Sequence, residues 1–178
     1  MKKFFSLLLV IALSAGLFCS CGSKEASPKE ETAETGLRDI TWGMTRSEVR
    51  KAENAELVGA DDGYLRFYDE DASQPIVFMG VNTRNKVDLW YYFNSDDKLF
   101  KIEYRLANGD INKEVYTHVK ELMRDKYGDP YEEDASDAEV ETHTSTSWKS
   151  AKSDITLDLY YREGKSKNTL YVTFLPNN

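Results

Sequence analysis

Four side chains carry all the thiol and imidazole chemistry of this 178-residue chain: Cys19, Cys21, His118 and His143. Neither histidine lies in a nucleophile, zinc or phosphate motif, since G-x-S-x-G, H-E-x-x-H and the Walker loop do not occur. His118 shares helical spacing with Val115, Val119 and Leu122 and is expected at the edge of a core, whereas His143 opens a Thr/Ser-rich strand and is expected to be exposed. With 31 Asp and Glu in the chain, no glycosidase-like carboxylate pair stands out. The densest acidic runs are Asp69-Glu70-Asp71 and the stretch from Asp129 through Glu132, Glu133, Asp134, Asp137, Glu139 and Glu141. Both lack the glycine and ordered alternation of a calcium loop and read as solvated loops. These residues point to no catalytic group, metal ligand or cofactor.

Recognition chemistry has a clearer signal. Trp90 and Tyr92 alternate with Val87, Leu89 and Tyr91, so on a strand they face away from the apolar set. Tyr160 and Tyr171 stand opposite Ile155, Leu157, Leu159 and opposite Leu170, Val172, Phe174 in the same way. Tyr and Trp are enriched at interfaces because one ring supplies a large, rigid contact with a polar tip. Trp90, Tyr92, Tyr160 and Tyr171 are therefore the candidate binding residues, against the plainer reading that helices cover them or that they only pair across strands.

Two helices and a set of strands must position these rings. Thr45 and Glu48 are spaced as a capping box and Met44 can staple onto Val49, which starts a short helix running to about Glu53. Residues 111–127 repeat apolar positions at helical spacing, and Gly128 followed by Pro130 stops them. Period-two alternation predicts a strand at 87–93, and 64–68 and 76–81 read as two further strands, the second buried because it is apolar almost throughout. A turn at 94–98 leads into a further strand in which Phe100, Ile102, Tyr104 and Leu106 form the buried set against Leu99, Lys101, Glu103 and Arg105. The last three strands are expected at 142–149, 155–162 and 169–175. The order predicts an α+β fold, an antiparallel sheet with two helices packed on one face. Two capped helices, each followed by a meander, suggest a tandem helix-plus-meander repeat.

The N-terminus reads differently. Lys2 and Lys3 precede an uncharged apolar run at 4–18, the n- and h-regions of a signal peptide and too short for a membrane-spanning helix, which needs roughly 20 residues. Leu17-Phe18-Cys19-Ser20-Cys21-Gly22 resembles the lipobox of bacterial lipoproteins, with small Ser20 before Cys21 and Phe18 where Leu is usual. The resemblance implies cleavage after residue 20 and a lipid, including palmitate-type acyl chains, on Cys21. Expected boundaries are thus a signal peptide at 1–20, a lipidated Cys and flexible tether at 21–35, and one extracytoplasmic domain at 36–178. The tether, rich in Ser, Lys, Glu, Ala and Thr, spans roughly 20 Å as a flexible coil. The mature domain would retain no free thiol.

A second resemblance lies inside the domain. Gly43-Met44-Thr45-Arg46-Ser47-Glu48-Val49 looks like the G-M-[ST]-x-x-[EQ]-V helix start of SmpA/OmlA-like envelope lipoproteins and β-lactamase-inhibitor-protein-like domains. Leu122 through Tyr127-Gly128-Asp129-Pro130 is similar to the L-G-x-P turn that ends their helices, although Glu53-Asn54-Ala55 replaces that stop after the first helix. The resemblance implies a module whose sheet or loops dock another protein, and it transfers no catalytic residue.

Charge narrows the partners. Losing residues 1–20 removes two lysines and no acids, so the formal net charge of −8 becomes −10. Such a surface repels phosphate backbones, and no nucleic acid partner is expected. The expected role is a membrane-anchored, extracytoplasmic protein-binding or envelope-assembly module, not an enzyme. The membrane would be held through Cys21, with a protein or cell-wall component as partner. The alternative is a small-ligand-binding or hydrolytic cell-surface lipoprotein, which would need a deep pocket lined by convergent polar groups.

Overall fold

The computed structural model describes residues 40–68, 87–108, 111–137, 142–164 and 168–177. The signal peptide, Cys21, the tether, the acidic run at 69–71 and the strand expected at 76–81 lie outside the described residues. In chain order the elements are α1 (Arg46–Ala52), β1 (Glu56–Ala60), β2 (Tyr64–Tyr68), β3 (Val87–Phe93), β4 (Leu99–Asn108), α2 (Lys113–Tyr127), β5 (Glu132–Asp137), β6 (Thr142–Lys149), β7 (Ser153–Tyr161) and β8 (Asn168–Pro176).

Local chemistry sets both helix starts. Thr45 Oγ1 accepts from Glu48 N–H at 3.3 Å, while the Glu48 carboxylate accepts from Thr45 N–H at 2.8 Å, so two N–H groups that lack intrahelical partners are satisfied together. Val49 is then buried in the core, and Met44 is partly buried against the same core. Asn112 performs the same task for α2, its side-chain oxygen accepting from Val115 N–H at 2.9 Å. The two helices end differently. Gly128 closes α2 at φ 85°, in the left-handed region that a side chain resists. α1 has no glycine, and the buried Glu53 carboxylate closes it by accepting from Asn54 and Ala55 N–H and from the Tyr91 hydroxyl. That is how the chain turns without the Gly-x-Pro stop.

The strands form one antiparallel sheet in the order β1-β2-β3-β4-β8-β7-β6-β5. A helix followed by a four-stranded meander thus occurs twice, and the two meanders join along β4 and β8. Cross-strand register gives the sheet two distinct faces. Phe67, Leu89, Tyr104, Val172, Leu157 and Thr146 align in one row, and all are buried. Tyr91 reaches Glu53 at the end of α1 and Thr146 meets the Tyr116 hydroxyl of α2 at 2.6 Å, so both helices cover this face. Alternation with period two sends every second residue to the opposite face, which no described helix covers.

Four expectations are corrected. First, 132–137 of the acidic stretch is not a loop but edge strand β5, paired with β6 from Glu132↔Ser147 to Asp137↔Thr142. Second, in β4 Leu99 is buried (2% exposed) and Phe100 exposed (40%). The register shifts between Tyr92↔Lys101 and Phe93↔Leu99, and the extra residue of this bulge reverses the alternation at the end of the hairpin. Third, His118 is exposed because α2 turns Tyr116, Val119 and Met123 inward instead. Fourth, His143 is half-buried against the open sheet face.

Candidate docking face

The uncovered sheet face collects the four aromatic residues singled out by alternation. On β3, Trp90 and Tyr92 lie opposite Glu103 and Lys101 of β4, and on β8 Tyr171 lies between Arg105 of β4 and Asp158 of β7. Tyr160 of β7 faces His143 of β6. Strand neighbours thus turn separate sequence positions into two clusters.

The first cluster surrounds Trp90. Tyr64 tilts against it with ring centroids 4.7 Å apart, and Tyr92 lies nearly parallel to it at 6.1 Å. The Arg105 guanidinium sits 4.2 Å from the Trp90 ring centroid, and that of Arg66 lies 5.4 Å away. Both cations face the negative π surface of the indole. Each is also held by a carboxylate: Arg66 Nη2 donates to both Asp88 oxygens at 3.0 and 2.9 Å, and Arg105 Nε donates to Glu103. Lys101 pairs with the other Glu103 oxygen at 2.6 Å and stands 4.6 Å from the Tyr92 ring centroid. Glu103 is only 5% exposed, so these cations are what make its burial tolerable.

The second cluster holds Tyr160, which is 40% exposed. It stacks on His143 at 4.5 Å and meets Tyr171 edge-on at 5.7 Å. His143 Nε2 lies 3.0 Å from Asp158 Oδ1, which fixes the imidazole plane. Arg105 links the clusters, since its guanidinium is also 5.7 Å from the Tyr171 ring centroid. Arg105, Arg66, Lys101, Glu103 and Tyr64 were missed as site residues. They occupy the same outward positions as Trp90 and Tyr92, but only the pairing of β2, β3, β4 and β8 reveals that they touch.

Electrostatics within the first cluster favour the protonated forms of Tyr92 and Arg105. Burial first, then the Glu103 carboxylate, push the Tyr92 hydroxyl above the usual tyrosine range, so it stays protonated and accepts from Arg105 Nη2 at 2.5 Å. Burial opposes the Arg105 charge, but Glu103 more than offsets it and raises the guanidinium above its ordinary value. Among the described residues no cluster of three or more His, Cys, Asp or Glu is placed to hold a metal ion. Nor is any described helix long and apolar enough to cross a membrane. A wide hollow of about 340 Å³ lies on the solvent side of α2, lined by Lys113, Glu114, Thr117, His118 and Glu121. It shares no residue with either aromatic cluster.

Compared with protein-family models, curated proteins and solved structures, the chain matches none.

Proposed function

We propose that the protein is an extracytoplasmic lipoprotein, held on its membrane by lipid on Cys21, whose open sheet face docks another protein. The observation that carries this reading is the face that no described helix covers, where paired ions lie against Trp90, Tyr92 and Tyr171 and Tyr160 packs on Tyr171 and His143. Aromatic rings and arginine held in advance lose little rotamer freedom on binding, which is what a docking surface needs. The lipobox-like Leu17 to Gly22 segment supports the anchor, and the resemblance of 43–49 to envelope modules supports a binding role over catalysis.

We also read the two helix-plus-meander units as a tandem repeat. Under one constant shift in numbering, Val87, Leu89, Tyr91, Ile102, Tyr104 and Leu106 correspond to Ile155, Leu157, Leu159, Leu170, Val172 and Phe174. The same shift matches Tyr92 to Tyr160, both on the open face.

Two measurements test the proposal. Growth with labelled palmitate should label the wild type and not the Cys21→Ser variant, and an unlabelled wild type would refute the anchor. In-cell cross-linking followed by mass spectrometry should show that Trp90→Ala and Tyr160→Ala proteins, folded and lipidated, lose neighbours that the wild type keeps. An unchanged set of neighbours would refute the docking face.

A further inference from the structure

We infer that the occupant of the open face is a basic segment of a partner protein, seated over β5–β7 with its lysine or arginine side chains on Asp134, Glu132 and Asp158 beside Tyr160. The inference rests on the docking reading above and deepens it by naming the partner's chemistry and the sector it contacts.

The two sides of the face differ in how their charges are met. Over β2–β4 each cation on the face has a carboxylate neighbour: Arg66 has Asp88, and Arg105 and Lys101 share Glu103. Among the described residues that side sets three cations against two carboxylates and offers a cationic partner no unmet acid. Over β5–β7 the outward row runs Asp134↔Ser145↔Asp158, with Glu132↔Ser147 in the next row. Glu132 and Asp134 are exposed and have no ion pair among the described residues, and Asp158 meets an imidazole rather than a fixed cation. Asp154 nearby shares Lys149 at 3.6 Å. Among the described residues four carboxylates on this side thus stand against one lysine. A ligand that complements them must bring positive charge, and Tyr160 offers the aliphatic stem of a lysine or arginine an adjacent ring.

The rest of the molecule favours the same partner. A chain of formal net charge −8 attracts a basic protein from a distance and repels anionic lipid, nucleic acid and a second copy of itself. The outermost strand, Glu-Glu-Asp-Ala-Ser-Asp, would set carboxylates against carboxylates if two copies paired along that edge, which disfavours self-association and leaves the sector to a cationic partner.

The experiment uses the full lipidated chain in neutral detergent and two synthetic ten-residue probes, one alternating Lys with Val and one alternating Glu with Val. Binding is read by fluorescence anisotropy and by NMR shifts at His143 and Tyr160. The expected result is binding of the lysine probe alone, weakened roughly tenfold or more by Glu132→Lys with Asp134→Lys, because a like-charged contact replaces an opposite one. The control is Glu114→Lys with Glu121→Lys on the solvent side of α2, which changes net charge equally and should alter binding less than about twofold at physiological ionic strength. Equal weakening by both pairs would mean general charge attraction and overturn the inference. So would calcium alone binding to this sector, or a dimer of the chain that survives Glu132→Lys with Asp134→Lys. If the lysine probe fails to bind but Trp90→Ala still loses cross-linked neighbours in cells, the basic partner falls and the docking face stands. If both tests fail, both readings fall.

Discussion

Replacing Arg105 with Ala tests whether one guanidinium holds the docking face together. Arg105 donates to Glu103 and to the Tyr92 hydroxyl, covers the Trp90 ring and borders Tyr171. A hydrogen bond to a charged group contributes about 1.5–3 kcal/mol. Lys101 stays on the other Glu103 oxygen, so the lower half of that range applies. The cation–π contact adds about 0.5–1 kcal/mol at a partly exposed site. Because about a third of the Arg105 side chain remains in solvent, screening trims the sum. The expected loss is about 2 kcal/mol, or a Tm lower by roughly 4–8 °C for a domain of this size. Urea unfolding followed by tryptophan fluorescence reads it, with an unchanged m-value. Arg105→Lys keeps the charge but not the planar fork and should lose about half as much. In a double-mutant cycle with Glu103→Gln, a coupling of about 1 kcal/mol or more is expected. An Arg105→Ala protein within about 0.5 kcal/mol of wild type, or one whose loss is independent of position 103, would refute the reasoning.

Trp148 is fully buried and its indole Nε1 donates to Gly128 O at 3.0 Å, so Trp148→Ala should cost about 3–5 kcal/mol in urea unfolding, and Trp148→Phe clearly less. Gly128→Ala meets no atom within 4 Å of the new Cβ, so its cost is backbone strain at φ 85° and ψ −165°; a loss of about 1–3 kcal/mol is expected in this glycine-only region, and Gly128→Asn should lose as much. The Thr45 N–H and hydroxyl hold the Glu48 carboxyl below its usual range. A depressed folded pKa contributes stability above the unfolded value that disappears as pH falls through the folded one. Wild type should therefore exceed Glu48→Gln in urea midpoint at pH 7, with the gap closing below the ordinary glutamate range. A gap that persists unchanged at pH 2 would rule this out.

Local pattern carried most of the fold. The period-two run from Val87 to Phe93 needed no tertiary information, because one apolar face dictates which side each residue takes. Likewise the Thr45–Glu48 pair specifies a helix start within four residues. The losses occur where a partner decides. Glu-Glu-Asp-Ala-Ser-Asp has no apolar alternation at all, and it forms β5 only because β6 presents a backbone edge to be paired. Phe100 reads as core until the bulge is known. His118 and Tyr116 lie on different sides of α2, and which side faces the sheet depends on where Thr146 and Trp148 stand.

The docking face shows the same division more sharply. Outward orientation of Trp90, Tyr92, Tyr160 and Tyr171 follows from alternation alone, but their gathering on one face depends on β4 pairing with β8, two strands far apart in sequence. That pairing sets Arg105 between Trp90 and Tyr171 and converts two aromatic groups into one. It also explains how several half-buried rings share this face without forming a second core. The rings around Trp90 lie against cations paired with Asp88 or sharing Glu103, so charged groups separate the rings and keep them from merging into an apolar core. Under the proposed docking, a partner would meet side chains whose freedom was lost during folding, and its affinity would depend on the charges left unpaired over β5–β7 rather than on aromatic area alone.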